Sequence, residues 1–175
     1  MMRALGPGSV SSLLKVILDI VFATLVIGLA ASGVLILLAL LFAFDPELLG
    51  GGGAAAAELI ARGPMRAAGL VAAALYMAGV LVIVGRLRRI FGALTAGDPF
   101  HPDNVVRLRV IGLMLAGLEL GRYLFWAVGA WLLPGVGKVE PNFSLTAWFS
   151  VLVVFVLAEV FREGARLRRE AELTI

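Results

Sequence analysis

The chain has 175 residues, of which 61% are hydrophobic and only 15% charged. An ordinary soluble domain is about half apolar and about a quarter charged, so this composition excludes a disordered chain, a collagen-like chain and an ordinary soluble enzyme. With no Cys and a single His, the sequence lacks the material for a disulfide scaffold, an iron–sulfur cluster, thiolate-bound zinc or an imidazole cluster, and no cofactor or metal is expected.

A helix must carry roughly 20 apolar residues to cross the hydrocarbon core of a bilayer. Helices are the economical solution there, because lipid offers the backbone no hydrogen-bond partners. The first such stretch, about 14–44, is free of charge from Ile20 to Phe44. Arg3, Lys15 and Ala30-Ala31-Ser32 give it some features of a signal peptide. Its apolar run continues far past the roughly 7–15 residues of a signal core, so it reads as a span. The connection that follows, Asp45 to Arg66, contains Gly50–Gly53 and Ala54–Ala57. The glycines read as a flexible turn, not a phosphate loop, since no Gly-Lys-Ser/Thr ending follows. The alanines and Glu58-Leu59-Ile60 predict a short helix at the membrane surface.

The second span, 67–86, is bracketed by Arg66 and Arg86. Ile83, Leu87, Ile90, Phe91 and Leu94 recur at three- and four-residue spacing beyond it, so the helix is expected to continue as an amphipathic stalk. Gly97 suits the C-cap, having no Cβ to oppose a left-handed backbone. Asp98 before Pro99, or His101 before Pro102, is placed to cap the next helix, since proline fits the first helical position. Phe100 is expected to anchor the turn, and His101 to cap rather than to ligate.

The third span, 110–133, ends at Pro134-Gly135 and carries Glu119 and Arg122 near the bilayer middle. Charges inside a membrane are costly and point by default to function. Their three-residue spacing puts them on one face with Gly112, Leu115 and Trp126, where they can neutralise each other. Tyr76, at the middle of the second span, is the expected neighbour in this polar cluster. Gly117 and Gly121 lie on the opposite face, and Gly28/Ser32 and Gly69/Ala73 repeat the spacing in the first two spans. Small residues allow close backbone approach in lipid, which predicts tight packing, a third helix central to the bundle, and a surface open to homo-oligomer formation.

The fourth span, 143–161, runs on into a helical tail, 162–175, with Leu157, Val160, Gly164 and Leu167 in a three-four rhythm. Glu159–Arg162, Glu163–Arg166 and Arg166–Glu170 are spaced for weak ion pairs on an exposed helix. Asp19 and Glu159 are acids near the ends of their spans, either of which can turn inward.

Eleven of the 15 Lys and Arg fall on one side: Arg3 and Lys15, then Arg86, Arg88, Arg89, Arg107 and Arg109, then Arg162, Arg166, Arg168 and Arg169. Only Arg62, Arg66 and Lys138 fall on the other. By the positive-inside rule the hairpin 86–109, the tail and both termini are cytoplasmic. The pI near 10.0 follows from this asymmetry, and no direct nucleic-acid contact is expected. The fold class is therefore an all-α membrane protein: a single four-transmembrane-helix bundle over 1–175, both termini cytoplasmic, with helical cytoplasmic extensions.

Gly97-Asp-Pro-Phe-His-Pro-Asp-Asn104, Leu108-Arg-Val-Ile-Gly112, Leu157-Ala-Glu-Val-Phe-Arg-Glu-Gly-Ala-Arg-Leu167 and the ending Glu172-Leu-Thr-Ile together resemble a bacterial family of small four-span inner-membrane proteins, a domain of unknown function that includes the YoaS-like proteins. The resemblance covers the whole topology, and the glycine-alanine stretch looks like an individual elaboration. It implies a bacterial inner-membrane location. Family members are often encoded beside small helix-turn-helix regulators, which by association implies a cytoplasmic regulator as partner.

No nucleophile–base pair or paired acids at useful depth point to an enzyme. Two functions remain. One is an interaction protein whose turn, with Gly97, Asp98, Pro99, Phe100 and Asn104, and whose tail form a composite cytoplasmic surface for a protein partner. The other is a small ion or proton channel or transporter using Glu119 and Arg122. In either, the arginines can also hold anionic lipid at about 1 kcal/mol each.

Overall fold

The computed structural model describes residues 10–44, 54–132 and 143–173. Four helices account for nearly all of them: α1 (Val10–Phe44), α2 (Ala54–Thr95), α3 (Pro102–Leu132) and α4 (Leu145–Glu172). Each is long and apolar enough to cross a membrane, and there is no strand among the described residues. Large apolar side chains such as Ile27, Leu75, Leu124, Phe149 and Trp131 are exposed along all four. A water-soluble domain would bury most of them, whereas lipid is a good solvent for them. The protein is a multi-pass membrane protein.

The helices extend beyond the predicted spans. α2 begins at Ala54, so the expected short surface helix is the first part of one continuous rod: Ala54–Ala57 supply strong helix formers. The segment 86–109 is two helical arms around a tight turn, because the apolar stripe of α2 continues to Thr95 and α3 starts at Pro102. α4 likewise runs through the tail to Glu172. The Gly50–Gly53 run, Pro134-Gly135, Arg3 and Lys138 lie outside the described residues.

The helix ends follow from local chemistry. α2 closes in a Schellman arrangement: the Gly97 N–H donates to Leu94 O at 3.1 Å and the Asp98 N–H to Ala93 O at 3.0 Å. Gly97 takes φ +83°, where a Cβ would be strained. His101, not Asp98, caps α3: its Nδ1 accepts from the Asp103 N–H at 3.2 Å, with Pro102 at the first helical position. Ser144 caps α4, its Oγ accepting from the Ala147 N–H at 3.2 Å.

The contacts divide the chain into two compact units, one of Met1–Phe22 with Gly79–Ile175, the other of Ala23–Ala78. In the first, Ile90, Leu108, Ile111 and Ala158 form a core joined by Ile83, Leu87, Leu94, Leu115, Val154 and Phe161. Two glycines let these helices approach closely. A Cβ at Gly112 would stand 3.0 Å from the Phe155 ring, and one at Gly79 only 2.6 Å from Leu118.

α4 buries Val151, Ala158 and Ala165, while Leu157, Val160 and Leu167 are exposed. The alanines permit close approach while the larger side chains turn outward. In α3 the face of Gly112, Leu115 and Glu119 is packed, but nothing lies within 4 Å of a Cβ built at Gly117 or Gly121. Leu113, Leu120 and Leu124 beside them are exposed. Within its own unit α3 is engaged through one face, where the sequence predicted two.

In the Ala23–Ala78 unit, Gly28 approaches Met77 Sδ, which lies 3.4 Å from a Cβ built there. Ser32, 6% exposed, returns its hydroxyl hydrogen to Leu29 O at 2.9 Å. Gly69 has open space around it.

Candidate functional site

The turn between α2 and α3 is built on Asn104. Its side chain is 0% exposed, and a buried amide is costly unless its donors and acceptor are matched. Asn104 Nδ2 donates to Pro99 O at 3.0 Å, and its Oδ1 accepts from Arg107 Nη1 at 2.8 Å. Arg107 Nη1 also reaches Arg89 O at 3.3 Å, and Arg107 Nη2 lies 3.4 Å from Asp103 Oδ2. One amide thus fixes the turn, the start of α3 and the end of α2 relative to each other.

The turn docks onto the tail. The Phe100 ring lies 5.7 Å from that of Phe161, centroid to centroid. It covers Gly164, where a Cβ would stand only 2.5 Å from the ring. Asp98 accepts from Arg168, and Arg168 Nε donates to Glu172 at 3.0 Å. Asp98 and Phe100 are therefore brought to α4, while Pro99 and Asn104 are tied to each other within the turn. Along the tail Arg162 pairs with Glu159, and Arg166 with Glu163 at 2.6 Å and Glu170 at 3.5 Å. Glu159 is exposed beside Arg162 and does not turn inward. Arg169 Nε donates to Ala165 O at 3.3 Å.

Asp19 does turn inward, to the stalk. It accepts from Arg88 Nε at 2.5 Å, and the Arg88 guanidinium lies 4.4 Å from the centre of the Phe22 ring, a cation–π contact. Arg86, Arg89 and Arg109 have no carboxylate partner among the described residues.

Deeper along α3, Arg122 Nη2 donates to Glu119 Oε1 at 2.5 Å, and Arg122 Nε to Oε2 at 3.2 Å. This two-pronged geometry is the strong form of an arginine–carboxylate pair. Glu119 is 9% exposed. The phenol beside the pair is that of Tyr123: its ring lies 5.1 Å from the Arg122 guanidinium, and its hydroxyl accepts from the Ser144 N–H at 3.3 Å. Tyr76 is 54% exposed in the Ala23–Ala78 unit. Tyr123, adjacent to Arg122, carried a usable signal in the sequence, whereas Ser144, 21 residues beyond Tyr123, carried none.

No curated protein and no solved structure matches the chain. Residues 51–175 match a family described as a protein of unknown function (DUF2975). The match takes in all of α2, α3 and α4, with both the docked turn and the tail. It leaves α1 outside, and it starts within the glycine run. The chain belongs to the DUF2975 family.

Proposed function

We propose that this protein is an interaction protein of a bacterial inner membrane, and that its arginine-rich end faces the cytoplasm and binds a cytoplasmic protein. The observation that carries this reading is the docking of the turn on the tail, with Phe100 over Gly164 and Asp98 on Arg168. A flexible loop would lose ordering entropy each time it bound a partner. A turn already fixed by the buried Asn104 presents its surface without that cost.

The surface offers cations and apolar groups side by side. Arg162, Arg166 and Arg169 are exposed near Leu167 and Leu173, themselves exposed. A partner with an acidic rim around an apolar patch, such as a small regulator, fits that chemistry. A photo-crosslinking residue at His101 and, separately, at Leu167 tests the reading in intact membranes. Both sites are expected to capture the same protein, with capture reduced by Gly164→Leu, which unseats Phe100. Capture of no common protein from the two sites overturns it.

The burial of Glu119 at mid-helix favours a second reading, ion or proton passage through an assembly of this chain. It requires Glu119→Gln to change flux in liposomes while helicity is kept. Unchanged flux removes it.

A further inference from the structure

A cavity of about 400 Å³ opens between the start of α1 and the end of α2, lined by Lys15, Asp19 and Phe22 on one side and Gly85, Arg88, Arg89 and Gly92 on the other. The lining follows from helical spacing. Positions 15, 19 and 22 share one face of α1, and 85, 88, 89 and 92 share one face of α2. Gly92 leaves open space where a side chain would project, and Gly85 meets only the Phe22 ring at 3.6 Å.

The cavity carries an excess of positive charge. Asp19 is committed to Arg88 Nε, and Phe22 holds the Arg88 guanidinium in place. Lys15 and Arg89 have no carboxylate partner among the described residues. Three cations against one carboxylate is the composition of an anion site.

The position of the cavity along the helices selects the anion. Lys15 lies just ahead of the uncharged run that starts at Ile20, and Arg88 and Arg89 lie just past the one that ends at Gly85. Both runs thus end at this cavity, the level at which lipid phosphates stand. Basic pockets between spans at that level suit lipid headgroups.

We propose that this cavity binds the phosphate of an anionic phospholipid, with Lys15, Arg88 and Arg89 as its cations and Gly92 providing the room. The inference is independent of the protein-partner reading and survives its failure. The full chain in detergent is titrated with phosphatidylglycerol, phosphatidylcholine and inorganic phosphate, with binding followed by native mass spectrometry. Lys15→Gln/Arg89→Gln is expected to weaken phosphatidylglycerol binding roughly 30-fold, from about 1 kcal/mol per cation. Gly92→Leu fills the cavity without changing charge, and is expected to weaken binding at least as much with thermal stability retained. Arg109→Gln/Arg162→Gln removes equal charge elsewhere and is expected to change binding less than about 2-fold. Equal loss in that control shows diffuse surface attraction and overturns the proposal. So does wild-type binding by Gly92→Leu, which also decides the matter if the Lys15/Arg89 variant does not fold. Inorganic phosphate or phosphatidylcholine binding as tightly as phosphatidylglycerol overturns the choice of an anionic lipid.

Discussion

The two compact units hold their helices by different means. In the unit containing Gly79–Ile175, three helices share an apolar core, and a fully buried asparagine and several cross-helix polar contacts fix their ends. Among the described side chains of Ala23–Ala78, Ser32 alone is buried, and the close approach runs through Gly28 and Met77. Lipid tails are as apolar as leucine, so burying leucine adds little inside a membrane. Specific geometry there must come from small residues and satisfied polar groups. The difference marks where this chain spends such residues: at the arginine-rich end, which is where the candidate surface lies.

The comparison breaks most severely at Glu119. Replacing Glu119 with Leu removes the two-pronged carboxylate partner of Arg122 inside the span and is expected to cost about 3 kcal/mol, read from unfolding in detergent. The double change Glu119→Leu/Arg122→Leu is expected to recover most of that loss, whereas Tyr76→Phe in the other unit should leave stability unchanged. Next comes Gly164→Leu, which forces the Phe100 ring from its seat. Overpacking of this kind costs about 1–3 kcal/mol and should expose the turn to protease. The matching change at Gly69, which has open space, should do neither. Asn104→Leu strands Pro99 O and an Arg107 donor, at a cost of about 1–3 kcal/mol, measured by the same unfolding. Arg168→Gln removes a partly exposed pair and is expected to have the smallest effect of the series. An Arg168 effect larger than that of Asn104 would mean that the ion pair, not the amide, holds the turn.

Much of this was legible in the sequence because it is local. Four apolar runs predict four helices. Gly97 and His101-Pro102 announce their caps through backbone chemistry, and Glu119 and Arg122 meet because three residues make nearly one helical turn. The contacts that assemble the site are not local. Asp98 meets Arg168 and Asp19 meets Arg88 across about 70 residues of chain, and no spacing rule reaches so far. The packed face of α4 is not legible either, for a different reason. Periodicity weights large apolar residues, but in lipid Ala158 and Ala165 pack inside while Leu157 and Val160 turn out. Tyr123 lies against Arg122 as its neighbour in the chain, a contact that adjacency alone makes legible.

The neutrality of the Asn104 amide has a consequence for solution behaviour. Its bonds to Pro99 O and from Arg107 lie away from water, where mobile ions screen little. The Asp98–Arg168 pair is partly exposed and weakens as ionic strength rises. Concentrated salt should therefore loosen the rim between turn and tail while the hub keeps its shape, so the protein meets changing electrolyte with an adjustable edge on a fixed centre.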